Sequence, residues 1–190
     1  LHPNVDRLTF SVVWELTLGG HIVSEWFGHT IIRSCSKMAY GIAQAMIDGQ
    51  LKHALSDAFT ADELLKFDAV GPYDGHTVEQ VVADVLLMHE IATKLRKRRF
   101  DTGSLALHNV KLAFQCDERN IPISAKPYEL KEANHMIEEY MLLANHRVAL
   151  KLVRALPKMS LLRNHVPPVQ RSMDKYAAFV LAATGVAIDS

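Results

Sequence analysis

The sequence predicts a mixed α/β protein, of the α+β kind, with a largely antiparallel sheet and packed helices. Three observations carry this. Apolar and polar residues alternate with period two over Thr9–Leu16, in a stretch rich in β-formers. Apolar residues recur with helical period over Thr77–Arg99, and a second long helix, stopped by Pro157, is read over Glu132–Leu156. The two patterns interleave along the chain as ββα, then αβ, then βαβα. At 190 residues the chain is one domain or most of one.

The first strand, Thr9–Leu16, leads into a hairpin turn at Leu18-Gly19-Gly20-His21. A second strand, Ile22–Arg33, follows, and the two should pair antiparallel, with Gly28 marking a bulge. A helix is expected over Tyr40–Leu51, with Ser34 or Ser36 as its N-cap. A short helix over Ala61–Phe67 would be capped by Thr60 and Glu63, ahead of a loop at Gly71–Gly75. Thr77–Arg99 is the clearest helix. Its apolar stripe is Val78, Val81, Val82, Val85, Leu86, His89, Ala92 and Leu95, and Thr77 with Gln80 forms a capping box. Residues 104–115 read as a strand or strand pair, Asp117–Ile121 as a turn and Ile123–Leu130 as another strand. A long helix over Glu132–Leu156 is stopped by Pro157. Ser160–His165 is a short strand or extended segment. A last helix over Arg171–Thr184 ends at Gly185.

Composition excludes several classes. A 49% hydrophobic, 22% charged chain is not a disordered tail. No stretch reaches the roughly 18 uninterrupted apolar residues of a membrane span, so no membrane partner is expected. Cys35 and Cys116 stand far apart with no CxxC spacing, which argues against a disulfide scaffold or zinc module and for two reduced thiols in a cytosolic or nuclear protein. The 21 basic and 21 acidic residues cancel, unlike a generic polyanion binder. The chain opens on Leu1 without a signal-peptide pattern and reads as a piece of a longer polypeptide.

Four features could carry chemistry. Lys94-Leu95-Arg96-Lys97-Arg98-Arg99 places five cations in six residues at a helix end. They could contact phosphates or bind an acidic protein partner. The spacing alone favours cations that complement the helix dipole and face water. The histidines include no HExxH pair, and no metal set is expected from this chain alone. The segment Met136–Asn145 is apolar on nearly all sides and should be buried, yet it holds Glu138 and Asn145 near one stripe with Asn134. Buried polar groups need partners, either protein groups or the hydroxyls of a ligand. Tyr40, at a strand-to-helix junction, reads first as core filler with its hydroxyl at the rim, and second as a face for a base or ribose.

Six segments occur together in order and at compatible spacing: Asp6-Arg7-Leu8-Thr9-Phe10-Ser11-Val12; Arg33-Ser34-Cys35-Ser36-Lys37-Met38-Ala39-Tyr40; Leu95–Phe100 with Gly103; Glu132-Ala133-Asn134; Ile137-Glu138-Glu139-Tyr140-Met141-Leu142-Leu143-Ala144-Asn145; and Leu161-Leu162-Arg163-Asn164-His165 with Pro168. Over essentially the whole chain they closely resemble the catalytic RNB domain of the RNase II/RNase R exoribonucleases. The likeness is strongest to the eukaryotic, cytoplasmic, exosome-independent branch that degrades uridylated RNA.

The resemblance implies a 3′-to-5′ hydrolytic exoribonuclease, a cytoplasmic and monomeric enzyme when full-length, that threads single-stranded RNA and releases nucleoside 5′-monophosphates. Magnesium held by aspartates would activate the attacking water. By the same resemblance, Tyr40 and Glu138 lie against the terminal nucleotides and help tell RNA from DNA, a task suited to a carboxylate that can accept from a 2′-OH. Asn145 and Leu107 complete the RNA-binding set. Leu107 stands where bacterial members carry a stacking aromatic, so that clamp is altered here. Residues 1–190 are thus expected to be the central part of an RNB domain, lacking the upstream aspartate-rich metal motif and the downstream arginine motif. No catalytic residue or metal ligand is expected within them, and the fragment alone should be inactive. On this reading, zero net charge says little about the whole enzyme's affinity for RNA. A non-catalytic RNB-like RNA-binding protein is the alternative.

Overall fold

A computed structural model describes residues 2–49, 73–106, 112–117, 119–127 and 130–188. Among these the elements run β1 (Asp6–Leu16), β2 (Ile22–Arg33), α1 (Tyr40–Ile47), α2 (Val78–Asp101), β3 (Leu112–Cys116), β4 (Pro122–Pro127), α3 (Glu132–Ala155) and α4 (Gln170–Thr184). The mixed helix-and-antiparallel-strand class is as expected. The strands form two separate two-stranded sheets, β1–β2 and β3–β4. The expected helix over 61–67 and Leu107 lie outside the described residues. The chain divides into two compact units, Leu1–Arg147 and Val148–Ser190.

The β1–β2 hairpin pairs antiparallel from Asp6↔Arg33 to Glu15↔Ser24. Hydroxyls of Thr9, Ser11 and Thr30 bond one another across it at 2.6–3.1 Å. Gly28 is not a bulge: it sits in regular register opposite Ser11, and the irregularity falls between Glu15 and Leu16. The glycine is there for another reason. A Cβ on it would come within 2.3 Å of the Trp26 ring, which lies across the same face two residues away. The turn closes through Gly20 N–H to the Thr17 carbonyl at 2.8 Å, with Gly20 at φ 74°.

Helix α1 has Ala39 at its N-cap, with no side-chain cap; the expected caps Ser34 and Ser36 lie upstream of that position, and the Ser34 hydroxyl donates to the Ser36 carbonyl. It ends at Ile47, short of the expected Leu51, where Gly49 turns to φ 73°. On α2 the expected capping box is present: Gln80 N–H donates to Thr77 Oγ1 at 3.3 Å, and Thr77 N–H donates to Gln80 Oε1 at 2.9 Å. The core forms where α1, α2 and α3 meet, from Ile42 and Met46, Val82, Val85 and Ala92, and Met136. Gln44 of α1 also caps α3, its Oε1 accepting from Ala133 N–H at 3.0 Å. Between β3 and β4, Asp117 Oδ1 accepts from the N–H groups of Arg119 and Ile121, each at 2.9 Å, and so builds the expected turn.

Helix α3 is not buried on all sides, contrary to the sequence expectation. Its buried residues are Ala133, Met136 and Glu139, while Met141 is 60% exposed. Its covering within the first unit comes from α1 and α2 on one side, so only that face is withdrawn from water.

In the second unit, residues 160–169 form neither helix nor strand, so of the two readings of Ser160–His165 the strand is absent. Helix α4 buries no residue and ends at Gly185, φ 72°, as expected. Among the described residues, no helix is long and apolar enough to cross a membrane.

Candidate functional site

The facing sides of α2 and α3 bring the cation run of one against the paired glutamates of the other. Glu138 and Glu139 are neighbours in sequence but point about 100° apart around the helix. Glu139 faces α2 with only 3% of its side chain exposed, whereas Glu138 keeps 48%. The buried carboxylate is therefore Glu139, a residue the sequence did not single out.

Burial of Glu139 is matched by a guanidinium clamp. Arg99 donates from Nε to Oε2 at 3.1 Å and from Nη2 to Oε1 at 2.6 Å, the two-point geometry that suits arginine. Arg96 adds Nη1 to Oε1 at 3.4 Å. The Glu139 carboxylate raises the Arg99 pKa further above its ordinary value, partly opposed by burial. Both guanidiniums lie over the Phe100 ring, at 5.0 and 4.8 Å from its centre.

Glu138 sits at the open edge of the same arrangement. Its Oε2 accepts from Arg96 Nη1 at 3.3 Å and lies 3.2 Å from His135 Nδ1. Among the described residues Oε1 takes no hydrogen bond. Arg96 and His135, with His89, Thr93 and Glu132, line a shallow cleft between the helices. Such an edge can hold a hydroxyl donor at Oε1 while Arg96 holds the other oxygen.

The remaining expected residues lie elsewhere. Tyr40 is the first residue of α1 and 45% exposed. No hydrogen bond among the described residues joins it to Glu138. Asn145 is exposed, seven residues beyond Glu138 on α3, which is roughly 10 Å along the axis. Asn134, on the same stripe, turns back to accept from Lys131 N–H at 3.0 Å and caps the helix.

The cation run is not one solvated face. Lys94 Nζ donates to the Leu18 carbonyl at 3.0 Å, and Arg98 donates to the carbonyls of Gly19 at 2.6 Å and Gly20 at 3.3 Å. Arg96 and Arg99 serve the glutamates, and Lys97, 75% exposed, pairs with Asp101. All five cations have partners within the chain, and of them Lys97 and Lys94 remain exposed. Among the described residues no group of three or more His, Cys, Asp or Glu side chains could hold a metal ion. The acids of the cleft are each engaged by an arginine or set apart, so they do not make a cation cage.

Comparison with known proteins agrees on one family. The model of the RNB domain matches residues 1–188. DIS3-like exonuclease 2 of Schizosaccharomyces pombe is 39% identical over 183 residues, covering 95% of this chain and 18% of that protein. Its namesake in Xenopus tropicalis is 40% identical over 180 residues, covering 94% and 20%. A protein of Arabidopsis thaliana named inactive exonuclease DIS3L2 is 36% identical over 179 residues, covering 94% and 16%. RNase R of Mycoplasma genitalium, solved in complex with ribose-methylated single-stranded RNA, superposes with a TM-score of 0.75 at 17% identity, over 100% of this chain and 26% of that one. That likeness speaks to the fold. The chain spans about a fifth of the length of the curated relatives it matches. With its fold and nearly its whole length accounted for, the chain belongs to the RNB domain family.

Proposed function

We propose that these residues form part of the RNA-channel wall of a 3′-to-5′ hydrolytic exoribonuclease that acts on single-stranded RNA and releases nucleoside 5′-monophosphates. The observation that carries the reading is the RNB match over residues 1–188. The half-exposed Glu138 supports it: its Oε1 takes no hydrogen bond among the described residues, and a carboxylate oxygen can accept from a ribose 2′-OH, the group that separates RNA from DNA. Tyr40 offers a ring at the start of α1, and Asn145 and Leu107 extend the RNA-binding set. Divalent magnesium belongs to the proposal with its ligands outside these 190 residues, as do a cytoplasmic location and a monomeric full-length enzyme.

The test is incubation of the full-length protein with 5′-labelled oligo(U) and magnesium. Stepwise shortening from the 3′ end with release of mononucleotides, abolished by EDTA, is expected. Absence of shortening under these conditions overturns the catalytic reading. A second reading, a non-catalytic RNA-binding RNB protein, stands beside it on one observation: a relative named inactive is 36% identical over 179 residues, the same as a relative named DIS3-like exonuclease 2 from the same organism. Retained oligo(U) binding without shortening would select it.

A further inference from the structure

Arg96 occupies an unusual place. One nitrogen, Nη1, lies 3.3 Å from Glu138 Oε2 and 3.4 Å from Glu139 Oε1, so a single donor is divided between an exposed and a buried carboxylate. The guanidinium is 28% exposed and rests on the Phe100 ring. Glu139 is in turn fixed by Arg99. These contacts tie Arg96 to the seam between α2 and α3. Arg96 holds Glu138 Oε2, which also lies 3.2 Å from His135 Nδ1, while Oε1 takes no hydrogen bond among the described residues. Because the guanidinium is shared with Glu139, it neutralises Glu138 only in part and leaves it a good acceptor.

We propose that Arg96 is the positioning residue that sets Glu138 for sugar recognition, coupling the buried Arg99–Glu139 clamp to the carboxylate that reads the 2′-OH. The inference rests on the reading of Glu138 given above, and adds a residue that does not itself touch RNA. It also gives Glu139 a purpose beyond packing: the buried carboxylate is the anchor against which Arg96 is held.

The experiment measures kcat/KM of the full-length protein on oligo(U) and on the same strand with 2′-deoxy sugars at its 3′ end, and takes their ratio. Arg96→Met keeps the stem over Phe100 and removes the charge. It should lower the RNA-over-deoxy ratio about tenfold, mainly through KM on RNA. Arg96→Lys keeps a charge but not the planar guanidinium over Phe100 and should lose about threefold. In Arg96→Met with Glu138→Ala, the ratio should be no lower than in Glu138→Ala alone, because the arginine acts through the glutamate. An unchanged ratio in Arg96→Met, with Glu138→Ala collapsing it, overturns the positioning role and leaves the reading of Glu138 standing. An unchanged ratio in Glu138→Ala overturns that reading and the proposal with it. If Arg96→Met fails to fold, Arg96→Lys alone decides, since loss of discrimination without loss of thermal stability is not the signature of a structural residue.

Discussion

The helical part of the first unit and the β1–β2 hairpin are held together by different means. Helices α1, α2 and α3 close on an apolar core, Ile42, Met46, Val82, Val85, Ala92 and Met136, with one ionic clamp at its edge. The hairpin contributes almost nothing to that core. Leu8 is 86% exposed and Phe10 is 67% exposed. It is tied to the helices through polar contacts: Lys94 and Arg98 on the carbonyls of its turn, and Arg147 of α3 on Glu25 of β2, with both nitrogens bonded at 2.6–2.7 Å. Removing polar contacts from the edge of a core should therefore cost global stability, whereas removing those at the hairpin should free that element locally.

Four substitutions test this contrast. The largest effect is expected for Glu139→Ala, which leaves Arg99 and Arg96 without their buried partner. It should cost about 3–5 kcal/mol in urea denaturation of the full-length protein. A loss below about 1 kcal/mol would mean that the clamp is not part of the cooperative core. Arg98→Met should cost about 1–2 kcal/mol, with amide exchange rising most at residues 16–22, since a charged donor leaves two carbonyls. Tyr140→Phe removes the hydrogen bond from its hydroxyl to the Met88 carbonyl, about 1 kcal/mol. It also changes the alkaline limb. Burial raises the Tyr140 pKa above its ordinary 10.0. The unfolded chain then loses this proton first, and stability falls as pH rises from about 10 towards the folded value. The phenylalanine variant should show a shallower alkaline decline. The smallest effect is Lys97→Ala, within about 0.5 kcal/mol, because its i,i+4 pair with Asp101 is exposed on both sides.

What the sequence disclosed follows the range of each interaction. The Thr77–Gln80 box and the Gly185 cap are local and legible, since both partners lie within one helical turn. The antiparallel pairing of β1 with β2 was readable from alternation and the Gly19-Gly20 turn, but the place of the register shift was not: it falls at Glu15/Leu16 and not at Gly28. The choice between Glu138 and Glu139 was not. Adjacent residues carry equal apolar patterning around them, and only the helix packed alongside decides which one faces inward. One clue was available: a cation run with more charges than its own helix could pair needs carboxylates elsewhere. The targets of Lys94 and Arg98 were beyond sequence reading, because backbone carbonyls have no residue signature. The RNA-binding set remains as the resemblance drew it. The structure exposes Glu138, Tyr40 and Asn145 without joining them, and Leu107 lies outside the described residues.

The hairpin turn also sets a length. Lys94 and Arg98 stand one helical turn apart, a rise of about 6 Å, and their ammonium and guanidinium reach the successive carbonyls of Leu18, Gly19 and Gly20. A Cβ on Gly20 would lie 3.1–3.2 Å from Leu95, which sits between the two cations in sequence. The pitch of one element is thus matched to the span of the other, like a vernier. One added residue between Thr17 and His21 would slide each carbonyl past its donor and drive a side chain towards Leu95. Surface hairpins usually tolerate insertions; this one should be fixed in length, its tip ruled off against the helix it touches.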